Sequence, residues 1–194
     1  MSAYARTSSQ TAGPFFHDGL LRADMRRNVL VARETAGVPI RIAGHIYDGD
    51  GLGVPDAMIE IWQANHHGRY HHPADQRPAP LDPAFLGFGR CGSDAAGAYW
   101  FETIKPGRVP FDGERLQAPH ICVAVFARGL VNHVRTRLYF ADEPANADDP
   151  ILRHVPVARQ ATLLAQRASI KGAVAVYRFD IRLQGTGETV FFNF

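Results

Sequence analysis

Cysteine is scarce in this 194-residue sequence, and neither charge sign predominates. The two cysteines, Cys91 and Cys122, do not form a Cys-x-x-Cys pair. Their number and spacing exclude a disulfide scaffold or a zinc ribbon and favour a reducing compartment, so we expect a cytoplasmic protein. With 21 basic and 19 acidic residues the net charge is only +2, and no Lys/Arg run occurs. A general nucleic-acid binder is therefore not expected.

Long apolar runs are also missing, since no stretch approaches the ~20 residues of a membrane span. The first ten residues contain no apolar segment behind a basic start, so we expect no secretory signal. The sequence contains no Gly-x-Ser-x-Gly elbow, no Walker loop and no His-Glu-x-x-His motif. These absences argue against an α/β-hydrolase, a P-loop NTPase and a zincin-type metalloprotease.

Alternation of apolar and polar residues dominates the chain from residue 38 onward and predicts many short strands. Only one segment has helical spacing, with Val157, Ala161, Leu164, Ala165 and Ala168 on one face. We therefore predict one domain over 1–194, mainly β, folded as an antiparallel β-sandwich with one helix in its C-terminal half. The sandwich core covers 38–194, and the strands are expected at 40–47, 57–62, 98–104, 121–126, 134–140, 174–183 and 189–192.

Residues 1–20 are small and polar up to the apolar segment Pro14-Phe15-Phe16. This composition predicts an extended N-terminal arm whose two phenylalanines are docked, because adjacent Phe side chains are costly to leave in water. The arm has two possible docking sites. It lies either on its own core or on a partner subunit.

A cluster of histidines, His66, His67, His71 and His72, surrounds the segment 68–70. Neutral imidazole is a good ligand for iron, zinc, copper or nickel, so the cluster is a candidate metal site. The nearest carboxylate, Asp75, does not complete a ligand spacing. A solvated loop is therefore the favoured interpretation.

Several motifs resemble the intradiol ring-cleaving dioxygenases, in the same order from about residue 8 to residue 194. Three other segments, at 11–16, 126–129 and 187–192, resemble the α chain of those family members that contain two kinds of chain. The motifs are Trp62–Ala64, Gly68–Tyr70, Asp82–Phe85, Gly89–Arg90, Thr103–Gly107, Pro119–Ile121 and Tyr177–Ile181.

The resemblance implies a β-sandwich that inserts O2 into the ring of a catechol. In the catalytic β chain of the family, two tyrosines and a His-x-His pair hold ferric iron. The matching positions here, called the relic site below, are Tyr70, Val109, His120 and Cys122. Two of the four family ligands are missing, and the neutral Gln117 stands where the family has an arginine. The resemblance thus implies no metal in this chain and Fe³⁺ on a homologous β subunit.

The resemblance also implies that the α chain helps to form the substrate pocket of the β chain. The residues at the matching positions are Thr11, Gly13, Pro14, Phe15 and Arg128. Arg128 is expected to pair with the carboxylate of protocatechuate, the substrate that reacts with O2. An ordinary surface salt bridge is the alternative role of Arg128. Family members usually have Tyr where this chain has Phe15. Several α–β pairs are expected to form a larger assembly.

Two other functions remain open from the sequence. The chain could be a self-sufficient dioxygenase whose metal site is rebuilt from Tyr70, His120, Cys122 and the histidines of 66–72. Cys122 would then act as a soft ligand that favours copper or zinc. Alternatively, the chain is a non-catalytic β-sandwich that binds or scaffolds another protein.

Overall fold

The computed structural model describes residues 11, 13, 18–171 and 174–193. Strands predominate. The helical parts among the described residues are 18–20, one short α-helix, Val157–Gln160, and three 3-10 helices, Pro144–Asp148, Leu152–His154 and Ala161–Leu163. The strands are β1 Pro39–Tyr47, β2 Met58–Trp62, β3 Phe88–Gly92, β4 Ala98–Ile104, β5 Pro110–Asp112, β6 Arg115–Leu116, β7 His120–Phe126, β8 Val134–Phe140, β9 Leu164–Lys171, β10 Val174–Arg178 and β11 Ile181–Arg182.

Nine strands form one sheet, in which eight follow the hydrogen-bonded path β11-β1-β10-β9-β8-β7-β2-β3 and the ninth, β4, pairs with β1. Strands β5 and β6 form a separate hairpin. One core cluster contains side chains from both halves of this path, including Ile42 and Phe101 from one half and Ile59 and Val123 from the other. The two halves therefore pack face to face, as predicted for a sandwich.

The strand directions differ from the prediction. β1 pairs in parallel with β10 and β11, and β8 pairs in parallel with β9, whereas the other pairs are antiparallel. The sandwich is mixed, not wholly antiparallel. Alternation in a sequence indicates which face of a strand is buried but carries no information on the direction of its neighbours.

Strand β1 shows how the alternating pattern builds the core. Ile40, Ile42 and Ile46 are almost fully buried, while Arg41, Ala43 and His45 are half-buried. Gly44 lies in the same row, and a Cβ atom there would stand 1.8 Å from the carbonyl oxygen of Phe179. Only glycine allows the chain after β10 to approach β1 this closely.

The predicted helix over 157–168 is wrong beyond its first turns. The α-helix ends at Gln160, the 3-10 helix ends at Leu163, and the chain continues as β9. β9 lies between β8 and β10, so its backbone groups are satisfied in the sheet. Leu163 and Ala165 are fully buried. Tertiary pairing thus overrides the helical spacing.

Five predicted strands, those at 40–47, 57–62, 98–104, 121–126 and 134–140, are confirmed to within one residue. The predicted strand 174–183 is two strands, β10 and β11, and residues 189–192 are not a strand. Residues 189–192 still contact the sheet, because the backbone N–H of Phe192 donates to the carbonyl oxygen of Arg135 on β8 at 2.8 Å. β3, β5, β6 and β9 were not predicted.

Candidate functional site

An open cleft of about 430 Å³ lies where β2 ends and β7 begins. We call it the aromatic cleft. The lining residues used below are Trp62, Tyr70, Asp75, Arg77, Val109, Pro110 and Gln117. Two positions of the relic site, Tyr70 and Val109, therefore line one cavity, as the resemblance implies.

The loop of residues 63–87 between β2 and β3 is built around Asn65, which is 2 % exposed. The Asn65 Oδ1 atom accepts hydrogen bonds from the backbone N–H groups of His67 and Arg69 at 2.9 and 3.0 Å. Gly68 has φ +77°, and a Cβ atom there would lie 1.9 Å from Arg108 O. These constraints bring Tyr70 to the cleft in a fixed position.

Hydrogen bonds of Asp75 and Arg77 fix the backbone of the loop at Gly68 and Tyr70. Tyr70 N donates to Asp75 Oδ2 at 2.8 Å, and Arg77 Nε donates to Asp75 Oδ1 at 2.7 Å. Arg77 Nη2 also donates to Gly68 O at 2.8 Å. Hydrogen bonds from Arg77 lower the pKa of Asp75 to about 2. Both oxygens of Asp75, the carboxylate nearest to the histidines in sequence, thus accept hydrogen bonds within the loop.

The Tyr70 ring stacks on Trp62, with the ring centroids 5.8 Å apart and the planes 12° from parallel. Burial raises the pKa of Tyr70, and the neighbouring Cys122 adds to that rise. The phenol therefore keeps its proton at neutral pH.

His120 is 4 % exposed, and its Nδ1 atom lies 2.8 Å from the carbonyl oxygen of Ala118. A carbonyl oxygen only accepts, so Nδ1 carries the proton. Burial, with the Arg137 charge second, lowers the pKa of His120 to about 4. Burial likewise raises the pKa of Cys122. At neutral pH the imidazole is uncharged and the thiol is protonated.

The positive charge that the sequence appeared to lack at Gln117 is supplied by a neighbouring strand. Arg137 on β8 lies opposite Cys122 on β7 in the register of the two strands. Its Nη1 atom donates to Gln117 Oε1 at 2.6 Å. Gln117 Nε2 donates to Pro110 O at 3.0 Å. The neutral residue at position 117 therefore does not leave the site without a positive charge. The sequence signal was Arg137 itself, which alternates onto the same face of the sheet as Cys122 on β7.

Ferric iron does not fit the relic site. Val109 is 4 % exposed and its side chain has no donor atom. Cys122 offers a soft sulfur donor where the family has an imidazole, and the cationic Arg137 lies opposite Cys122 in the sheet. Of the four family ligands, only Tyr70 and His120 are present at the relic site.

The histidines of 66–72 do not converge on one point. The rings of His66 and His67 are 3.8 Å apart, while His72 Nδ1 accepts a hydrogen bond from Ala74 N at 3.1 Å. Within the described part of the chain, no three His, Cys, Asp or Glu side chains are grouped so that they could hold a metal ion.

The family model with the description Dioxygenase matches residues 11–185. The chain belongs to the intradiol dioxygenase family. It is 42 % identical to the protocatechuate 3,4-dioxygenase α chain of Burkholderia cepacia over the whole of both chains. The β chain from the same organism is 38 % identical over 88 % of this chain and 75 % of that one.

A solved structure supports the same family fold. The dioxygenase domain of a dioxygenase carbohydrate-binding protein fusion from Streptomyces sp. SirexAA-E is 26 % identical and has a TM-score of 0.63. The similarity covers 94 % of this chain and all of that domain. The sandwich therefore matches a dioxygenase over nearly its whole length.

Two of the predicted substrate-binding residues of this dioxygenase chain lie together at the far end of β7. Arg128 and Gly129 form the turn after β7, which is closed by a hydrogen bond from Leu130 N to Ala127 O at 3.2 Å. Gly129 has φ +86°, and its N–H donates to Thr11 Oγ1 at 3.2 Å. The turn therefore brings Arg128 and Thr11 together on the surface.

Arg128, Thr11 and Gly13 are exposed, and a Cβ atom at Gly13 would meet no atom within 4 Å. Arg128 makes no ion pair with any described residue, so the surface salt bridge considered above is not observed there. Pro14 and Phe15 lie outside the described residues.

The cluster formed by Arg128, Thr11 and Gly13 is remote from the relic site of the same chain. His120 and Phe126, the two ends of β7, are six positions apart, which is about 20 Å at a strand rise of about 3.3 Å. Arg128 therefore cannot reach a ligand in the aromatic cleft of its own chain. A ligand that contacts Arg128 must lie on another surface.

No helix among the described residues combines the length and apolar character needed to cross a membrane.

Proposed function

We propose that this chain is the α subunit of a protocatechuate 3,4-dioxygenase complex. The observation that carries the proposal is the 42 % identity to such an α chain over the full length of both proteins. In the reaction, the bond between the two hydroxyl-bearing carbons of protocatechuate breaks, and each of these carbons receives one atom of O2. The product is the ring-opened 3-carboxy-cis,cis-muconate, so no other co-reactant is needed.

The ferric iron belongs, in this proposal, to a homologous β subunit. The donor set supports this assignment, because the Val109 side chain has no donor atom and Cys122 supplies a thiol where the family has an imidazole. The similarity to a β chain at 38 % identity indicates that both chains share one fold. Two chains of one fold would pair about a pseudo-two-fold axis, and several such pairs would form the larger assembly.

The contribution of this chain is to position the substrate in the pocket of the β subunit. Arg128 would pair with the carboxylate of protocatechuate, and Thr11, Gly13, Pro14 and Phe15 would line the entrance. The position of Arg128 at the end of β7 away from the relic site supports a pocket on a neighbouring chain. Positioning of this kind matters, since a misplacement of about 1 Å can cost on the order of 100-fold in rate.

The cytoplasm is the proposed location. Cys91 and Cys122 are free thiols, which fits a reducing compartment.

Co-expression with a candidate β chain tests the proposal. We expect the two chains to purify together and to cleave protocatechuate, while this chain alone cleaves nothing. Removal of residues 1–16 should preserve the complex but reduce its kcat/KM. A chain that forms no complex, or a complex whose turnover is unaffected by that deletion, would support the non-catalytic scaffold instead.

A further inference from the structure

The aromatic cleft is an open cavity, although the set of metal ligands at the relic site is incomplete. Its volume of about 430 Å³ falls within the usual range of ligand pockets, roughly 300–1,000 Å³. Val109 fills the place of a metal ligand without filling the cleft, and Pro110 lines the opening beside it. The cavity is therefore large enough for one substituted benzene ring.

One wall of the cleft suits a flat ring. Trp62 and Tyr70 lie almost parallel, and the loop contacts of Asp75 hold Tyr70 in place. Preorganised aromatic faces stack on planar ligands without loss of side-chain freedom. The apolar atoms of Val109 and Pro110 complete an environment that favours a ring over a flexible polar chain.

The polar side of the cleft carries more positive than negative charge. Arg77 and Asp75 both line it, and the charges of this ion pair offset each other. Arg77 holds its neighbours through Nε and Nη2, whereas Nη1 makes no hydrogen bond to any described residue. Arg137 adds a second guanidinium directly behind Gln117, at 2.6 Å from its amide oxygen. A carboxylate on the bound ring would meet this charge.

We propose that the aromatic cleft of this chain binds a planar aromatic carboxylate and does not transform it. Ring recognition comes from Trp62 and Tyr70, and charge recognition comes from Arg77 with Arg137 behind Gln117. The site goes beyond the proposed function, because it lies at the opposite end of β7 from Arg128. A complex of α and β would then hold two aromatic ligands per pair, one converted and one only bound.

Fluorescence of Trp62 in the full chain provides the test. The sequence contains two tryptophans, Trp62 and Trp100, so Trp100→Phe leaves only the reporter in the cleft. The probe is 4-hydroxybenzoate, which lacks the second hydroxyl needed for cleavage, and the neutral comparison is 4-hydroxybenzamide. We expect saturable quenching by the acid, with an affinity at least about tenfold higher than for the amide.

Gln117→Glu tests the site and keeps the hydrogen bond from Arg137, because a carboxylate can accept it. The substitution loses the bond from Gln117 Nε2 to Pro110 O, and binding of the neutral amide reports any effect of that loss. The added negative charge should weaken binding of the acid by about tenfold or more and leave binding of the amide unchanged. The same substitution at the exposed Gln166, on β9, is the matched control and should change neither affinity.

Absence of saturable quenching in a folded chain would overturn the inference, as would equal affinity for acid and amide. An equal effect of Gln117→Glu and Gln166→Glu would also overturn it. The titration uses this chain without a partner. Failure to assemble with a β chain would therefore contradict the proposed function and leave this result untouched.

Discussion

Gly129 and Thr11 are joined by a hydrogen bond, in which the Gly129 N–H donates to the Thr11 hydroxyl oxygen at 3.2 Å. The residues are 118 positions apart in sequence. The bond fixes the one described contact between the N-terminal segment and the turn that carries Arg128. Two parts of the chain that the family resemblance assigns to one pocket therefore meet on one surface.

Arg128→Ala in the α–β complex is expected to lower kcat/KM for protocatechuate by about 10- to 100-fold, because a charge-assisted hydrogen bond contributes about 1.5–3 kcal/mol. Catechol lacks the carboxylate, so its slower turnover should not change. Steady-state kinetics with both substrates measures this difference. Arg153→Ala, at an exposed arginine paired with Asp148, is the control and should match the wild type. Equal losses with both substrates would contradict carboxylate recognition by Arg128.

Val109→Tyr combined with Cys122→His is expected to recover iron binding in this chain. The new tyrosine would line the cleft beside Tyr70, and the new histidine would follow His120 at the spacing that places both on one face of β7. Metal content and a visible phenolate-to-iron absorption band measure recovery. Each single variant is the control, since each restores only one ligand. A double variant without iron would show that the rest of the pocket no longer accommodates the ion.

Asp75→Asn is expected to lower the free energy of unfolding by about 2 kcal/mol, because it weakens a charge-assisted pair that also supports the Tyr70 backbone. The Asp75 side chain is 8 % exposed, whereas that of Asp112, which pairs with Arg115, is 56 % exposed. Asp112→Asn should therefore have no measurable effect. Urea unfolding of both variants provides the comparison, and equal losses would refute the role assigned to Asp75.

The buried His120 is expected to make the protein less stable in acid. Its pKa is lowered to about 4 in the folded chain, below the ordinary value of 6.5. Between these values the unfolded chain binds a proton that the folded chain does not, so stability falls as pH decreases from about 6.5 towards 4. Between pH 7.5 and 5 this single group should cost about 2 kcal/mol.

Urea unfolding at the two pH values, with wild type and His120→Gln, isolates that contribution. The variant should lose less stability on acidification by about the same amount. His67→Gln, at an exposed histidine, should behave like the wild type. An identical pH dependence for His120→Gln and wild type would mean that His120 is not the group responsible.

Much of the sheet was predictable because alternation records burial directly. Strand β1 illustrates this, with its isoleucines buried and the alternate residues Arg41, Ala43, His45 and Tyr47 half-buried. β9 could not be predicted in the same way, since its position between β8 and β10 depends on partners distant in sequence. The helical spacing after Val157 is real in the sequence but is overridden by that pairing.

The incomplete ligand set of the candidate site was also predictable, because Val109 has no donor atom in any fold. The charge at that site was not. Position 117 is neutral in the sequence, and only the register of β7 with β8 brings Arg137 to it. The pairing of β7 with β8 determines the charge at this site, and a linear sequence motif does not record which strands pair.

Iron content, measured on this chain alone and on its complex with a β chain, tests the central claim most directly. The account predicts no bound iron in the separate chain and one ferric ion per α–β pair in the active complex. A separate chain that carries one iron per molecule and cleaves protocatechuate unaided would contradict it.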